Sequence, residues 1–243
     1  MKTDRMFGEG IARQELHLMF IIDNSGSMDG EKLGAVNNAI RDVMSIMPDI
    51  QEDTADATIK ISALKFSDEA VWVYDEPKTV EEFKWKDLTT DGGTNLTGAY
   101  EELSKWLCKR EKGGKMPDIG GVAPILILMT DGLPTSYDHE QALAKLSKKG
   151  WFKVALKYAL AVGIDTNEAM DVLNKFTGNP ETVLKVYTAE ALRKVIKVIA
   201  VTASKVKSNS GSTGFATATG GTNNQVAQQE ITERLEEVAD VEW

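Results

Sequence analysis

Five oxygen-bearing side chains fall in three short glycine-marked segments. Asp23, Ser25 and Ser27 lie in Asp23-Asn24-Ser25-Gly26-Ser27, Thr94 in Asp91-Gly92-Gly93-Thr94-Asn95, and Asp131 in Leu128-Met129-Thr130-Asp131-Gly132. Carboxylates and hydroxyls are hard donors, and no Cys or His accompanies them, so an ion held by this set is Mg²⁺, Mn²⁺ or Ca²⁺ rather than zinc or copper. Mg²⁺ is the first expectation. Paired carboxylates roughly neutralise a divalent ion, and the three hydroxyls do not fill an octahedral shell, which leaves a position for water or an outside oxygen. Each segment also has a plainer reading. Ser25, Ser27 and Thr94 are good helix N-caps, and Asp131 suits a strand-end turn.

What favours a shared site is the placement of the segments between the elements that carry them. Residues 16–22 form a near-continuous apolar run, as in strands buried on both faces, and stop at Asp23. Residues 122–129 do the same before Asp131. Residues 31–47 carry apolar side chains at helical spacing, with Pro48 expected to close the helix. Further strands are expected at 58–66, at 70–74 as an antiparallel edge hairpin, within 151–162 and at 183–186; further helices at 97–108, 139–148, 167–176 and 189–204. Alternating strands and helices imply a doubly wound α/β fold, a mostly parallel central sheet with one antiparallel edge strand and flanking helices. Ligand sites in such sheets lie beyond the carboxyl ends of the strands, where these loops collect.

The combination Asp23-x-Ser25-x-Ser27, Gly-Gly-Thr94 and Thr-Asp131-Gly resembles the metal-ion-dependent adhesion site of von Willebrand factor A domains. The resemblance covers about residues 14–204 and implies a Rossmann-like central sheet. It also implies that Asp23, Ser25, Ser27, Thr94 and Asp131 are the metal ligands and that a partner protein's Glu or Asp completes the coordination. Gly132-Leu133-Pro134-Thr135 after the third loop resembles the bacterial TerY-like branch, associated with tellurite-resistance and stress operons and, in some cases, with a neighbouring kinase and phosphatase. On this resemblance the chain is a protein-interaction module, an adaptor or scaffold, and not an enzyme.

Composition bounds the rest. Hydrophobic residues make up 42% and charged residues 27%, ordinary globular usage. The net charge of −9, with 28 basic residues scattered among 37 acidic ones, argues against a nucleic-acid partner. Neither a signal peptide nor a spanning helix is expected from the N-terminal sequence, and Cys108 as the single cysteine excludes an internal disulfide, so a cytoplasmic setting is expected. The rival reading is a Mg²⁺-dependent phosphohydrolase with Asp23 as nucleophile. That chemistry usually needs a second Asp two residues on, where Ser25 stands. No phosphate-binding Gly-x-x-x-x-Gly-Lys-Ser/Thr loop occurs, so nucleotide hydrolysis of that type would fall to a partner ATPase or kinase. His17 is expected inside the first strand and His139 at a helix start.

Residues 205–224 are rich in Ser, Gly, Thr, Asn and Ala, a linker composition, with Ser208, Ser210, Ser212 and Thr213 as candidate phosphate acceptors. Residues 225–243 regain helical periodicity as an acidic amphipathic tail. Glu230 or Glu242 of that tail is a candidate carboxylate for the metal site of a neighbouring copy, which would make the protein self-associate.

Overall fold

The structure, a computed structural model, describes residues 14–54, 57–164, 166–186, 188, 190–194 and 196–197. Expectations for the linker and the acidic tail, residues 205–243, lie outside the described residues. The first strand, β1 (Gln14–Asp23), is followed by α1 (Glu31–Asp53), β2 (Ala57–Phe66), β3 (Ala70–Trp72) and β4 (Lys78–Thr79). Then come α2 (Leu96–Trp106), β5 (Ile125–Thr130), α3 (His139–Leu146), α4 (Gly150–Val154), β6 (Leu156–Val162), α5 (Asn167–Thr177) and β7 (Val183–Val186). Residues 190–194 are again helical.

The strands form one sheet in the order β3-β2-β1-β5-β6-β7, with β4 also on β2. Pairings of β1 with β2 and β5, of β5 with β6 and of β6 with β7 are parallel; β3 at the edge and the two-residue β4 run antiparallel to β2. The apolar run of β1 is divided between two cores. Leu16, Leu18, Phe20 and Ile22 pack with Leu33, Val36, Ile40 and Val43 of α1, while Met19 and Ile21 pack on the other face with Leu96, Tyr100 and Leu103 of α2. Burial on both faces is why the run does not alternate with polar residues.

The sequence expectation for α1 needs one correction. The helix runs through Pro48 to Asp53 instead of ending before it. Proline forfeits one backbone hydrogen bond, but the buried stripe continues across it, from Met47 before the proline to Ile50 after it. The last turn is also tied to β2: Gln51 donates to the Ala57 carbonyl at 2.9 Å and accepts from the Ile59 amide at 2.7 Å. α4 is a five-residue element that the sequence reading passed over within 151–162. Gly178 closes α5 in the left-handed conformation at φ 73°, as its position after the helix implies.

The chain leaves β1 towards β2 on one side and later returns to place β5 on the other side of β1. The carboxyl ends of β1 and β5 therefore flank a topological switch point, the crevice where open α/β sheets bind ligands. Asp23 ends β1, and Asp131 follows the last residue of β5.

Candidate metal centre

The first loop leaves β1 at Asp23. Asp23 Oδ1 accepts the Ser25 amide at 2.8 Å, which folds the loop back over the strand end. Ser25 then enters a single 3₁₀ turn, Gly26–Met28, and α1 begins after Gly30. Neither Ser25 nor Gly30 caps its helix through a side chain. The serine hydroxyls are thus not spent on helix amides, and the N-cap reading fails for them. They turn to each other and to the third loop instead: Ser25 Oγ lies 3.0 Å from Ser27 Oγ, and the Ser27 hydroxyl donates to Asp131 Oδ1 at 2.6 Å.

The second loop is sewn to the first by main chain. The Gly26 amide donates to the Gly92 carbonyl at 3.0 Å, and the Asp91 amide to the Asn24 carbonyl at 2.8 Å. Gly92 sits at φ +47°, and a Cβ there would stand 2.3 Å from the Asp68 carboxyl group, so only glycine fits. Asp68 in turn accepts the Gly93 amide at 2.7 Å. Thr94 follows, 6% exposed. It does not cap α2; Asn95 does, accepting the Gly98 amide at 2.9 Å. The Thr94 carbonyl accepts the Thr135 amide at 3.0 Å, which ties the second loop to the segment after the third.

Of the five residues the sequence singled out, Asp23, Ser25, Ser27 and Asp131 are joined through hydrogen bonds, and Thr94 is brought beside them by backbone ties. Asp23 is 0% and Asp131 4% exposed. Burial pushes the Asp23 carboxyl above its usual range, and the charge of Asp131 adds to the rise although hydrogen bonds from Ser25 and Thr130 oppose it. Lys32 pairs with Asp131 alone, so the buried Asp23 charge is left for a further cation to balance, and the donors are all hard oxygens. The donor set fits a divalent ion of the Mg²⁺ type.

The sequence reading missed several supporting residues. Thr130, noted only as the residue before Asp131, donates its hydroxyl to Asp23 Oδ2 at 2.5 Å. Asp68 and Thr135 shape the second loop as described above. Lys32, in the first turn of α1, forms an ion pair with Asp131 Oδ2. Thr130 had a signal, its place at a strand end between two buried positions; a lysine five residues after Ser27 had none. His17 is wholly buried in β1, and His139 opens α3 with its ring against the Ser136 carbonyl at 2.9 Å. His17 lies six residues before Asp23 on the same strand and His139 eight residues after Asp131, but their hydrogen bonds go to Glu15 and to the Ser136 carbonyl and not to the five candidate ligands. Among the described residues no group of three or more His, Cys, Asp and Glu is placed to hold a metal, so any ion here depends on the hydroxyls.

The family model for the von Willebrand factor type A domain matches residues 17–200. The chain belongs to this family. Solved structures resemble it: a von Willebrand factor type A from Catenulispora acidiphila matches at TM-score 0.57 and 17% identity over 79% of this chain and 43% of that one. The pilus adhesin SpaC from Lactobacillus rhamnosus GG matches at TM-score 0.59 and 14% identity over 78% of this chain and 30% of that one. Proximal thread matrix protein 1 from the mussel byssus, in a structure with a zinc-occupied MIDAS motif, matches at 0.54 and 17% identity over 79% and 46%. The chain spans less than half the length of each of these. No curated protein sequence matches it. At these identities the likeness is one of fold, and the von Willebrand factor A sheet observed here agrees with it.

Proposed function

We propose that this von Willebrand factor A domain is a metal-dependent protein-interaction module in which Asp23, Ser25, Ser27, Thr94 and Asp131 hold Mg²⁺, with Mn²⁺ or Ca²⁺ as substitutes, and an acidic residue of a partner protein completes the coordination. The observation that carries the proposal is the chain of hydrogen bonds from Ser25 through Ser27 to Asp131, made by serine hydroxyls that cap no helix, beside the buried Asp23 carboxyl. Family membership supports a divalent ion here, since adhesion-site chemistry is common in these domains and a byssus protein of the same fold is described with zinc in its MIDAS motif; the choice of Mg²⁺ rests on the hard-oxygen donors alone.

The module is non-enzymatic. Ser25 stands where a phosphohydrolase would need its second aspartate, and both Asp23 oxygens already accept hydrogen bonds, from Ser25 and Thr130. We place it in the cytoplasm as an adaptor of the TerY-like kind, serving a tellurite-resistance or stress-response system with kinase, phosphatase or ATPase partners. No described helix is long and apolar enough to cross a membrane. The acidic segment 225–243 is a further candidate ligand for a neighbouring copy.

Titration calorimetry of the full chain with Mg²⁺, followed by partner capture from host lysate with and without EDTA, tests the reading. Asp131→Ala is expected to lose the binding heat and the EDTA-sensitive captured protein. Capture that persists unchanged in EDTA rules the metal-dependent module out. Sustained phosphate release from generic phosphoesters, lost in Asp23→Asn, establishes the enzyme in its place.

A further inference from the structure

Lys32 lies in the first turn of α1, on the rim of the candidate metal centre. Its ammonium bonds Asp131 Oδ2 and, at 3.2 Å, the backbone carbonyl of Ser27. Its aliphatic stem passes over the end of β6, where a Cβ built on Gly163 would stand 3.4 Å from Lys32 Cε. The lysine side chain is 37% exposed and that of Asp131 is fully buried. A lysine on a solvated helix face makes none of these contacts. This one touches three separate segments and spans the site from outside.

The buried carboxylate is therefore shared. Oδ1 takes the Ser27 hydroxyl, which itself meets Ser25, whereas Oδ2 takes Lys32. We propose that Lys32 sets the charge of the ion site: by holding Oδ2 of Asp131 it leaves Oδ1 to the ion, and it lowers the net charge of the protein donors from two negative units to one. The inference rests on the metal-site reading above. A divalent ion balanced by Asp23 and Asp131 alone gives a neutral centre with no electrostatic preference for an anion. With Lys32 included, the loaded centre keeps one positive unit, and the open position attracts a carboxylate.

The proposal has a cost with a definite sign. A fixed positive charge beside a divalent ion weakens its binding while strengthening that of the anionic ligand. At separations of about 6 Å and a water-like dielectric, the interaction of one unit charge with a divalent ion is worth about tenfold in affinity. A lysine that merely oriented Asp131 would act the other way, since its removal would loosen a ligand and weaken the ion.

Mn²⁺ serves as the probe, because its water-proton relaxation reports both ion binding and displacement of coordinated water by acetate. Full-length wild type, K32M, K32Q, K32R and D131A are titrated. K32M keeps the apolar stem and K32Q keeps a hydrogen-bond donor, so either one that remains folded by circular dichroism carries the test. The expected result is Mn²⁺ binding about tenfold tighter in K32M and K32Q, with about threefold more acetate needed to displace water because acetate carries a single charge, and K32R equal to wild type in both. Mn²⁺ affinity unchanged or weakened in the neutral variants, or an unchanged acetate requirement, overturns the role of Lys32 while leaving the metal site standing. A wild-type chain that binds no Mn²⁺ overturns the metal-site reading itself, and this inference with it.

Discussion

The Thr130 hydroxyl donates to Asp23 Oδ2 at 2.5 Å, joining the last residues of two adjacent parallel strands, β1 and β5. Strand register makes the contact: Ile22 of β1 pairs with Met129 of β5, so the residues that follow face each other across the ladder. The bond matters because Asp23 is wholly buried, and a buried charge is tolerated only when its lone pairs are satisfied. Thr130→Val keeps the shape and removes the donor. It is expected to destabilise the fold by about 1–3 kcal/mol in urea unfolding at neutral pH with EDTA present. A Thr130→Ser variant, which retains the hydroxyl, should recover most of that loss.

Gly92 makes a second test, directed at the loop that carries Thr94. Its φ of +47° and the 2.3 Å approach of an added Cβ to the Asp68 carboxyl leave no room for a side chain. Gly92→Ala must either strain the backbone or push Asp68 off the Gly93 amide. Destabilisation of about 1–3 kcal/mol is expected, together with weaker Mg²⁺ binding in calorimetry because Thr94 moves with the loop. Gly30→Ala is the control. Its φ is +76° with nothing within 4 Å of the added Cβ, so it carries the backbone strain without the collision.

The contrast between these residues and Lys32 explains what could be read from the sequence. Asp23 and Asp131 were legible because each ends a buried apolar run, and a run of that kind fixes both the strand and its final residue. The hydroxyls were legible as a set, although each alone was equally a helix cap; only the caps observed at Gly30 and Asn95 decide against that alternative. Lys32 was not legible, because its partners lie on two loops whose approach depends on the crossover between β1 and β5. The continuation of α1 past Pro48 was hidden for a similar reason. Local propensity argues for a stop, and the contacts that outweigh it, Ile50 in the core and Gln51 on β2, are tertiary.

At the other end of the sheet, Glu15, His17 and Arg110 give the protein a pH dependence separate from the ion site. Arg110 holds Glu15 through bonds of 2.6 and 3.1 Å, and the His17 ring nitrogen Nε2 lies 3.1 Å from Glu15 Oε2. The bond to His17, helped by Arg110, lowers Glu15 to about 2. Burial lowers His17 from its usual value of 6.5 against the opposing pull of Glu15. For both groups the unfolded chain binds a proton before the folded one does, so stability falls on acidification. The His17 contribution is present above pH 6.5 and is lost as pH drops below it; that of Glu15 is present above 4.5 and is lost as pH falls towards 2. Chemical unfolding across pH 8 to 4 should show stability declining below about 6.5. His17→Gln should flatten the first part of that decline, and a slope unchanged in this variant would assign it to other groups.

The buried Asp23 carboxyl predicts a trade between stability and binding. Burial, with a contribution from Asp131, raises its pKa, so its ionised form is disfavoured in the folded chain relative to the unfolded one. For a carboxylate shifted upward, the folded state holds the proton more tightly, and stability declines as pH rises through the unfolded value towards the folded one. At neutral pH without divalent ions, Asp23 in its charged form therefore works against the fold. Asp23→Asn removes the charge, and its amide oxygen can still accept the Ser25 amide. The variant is expected to unfold a few degrees higher than wild type in EDTA, on the scale of about 2–4 °C per kcal/mol for a domain of this size. Saturating Mg²⁺ should reverse the order, because the ion stabilises only the chain that binds it. Two thermal scans per protein, in EDTA and in Mg²⁺, measure both effects. A variant less stable than wild type in EDTA would mean that the hydrogen bonds to Asp23 outweigh the penalty of its charge, and one that gains as much as wild type from Mg²⁺ would remove Asp23 from the metal centre.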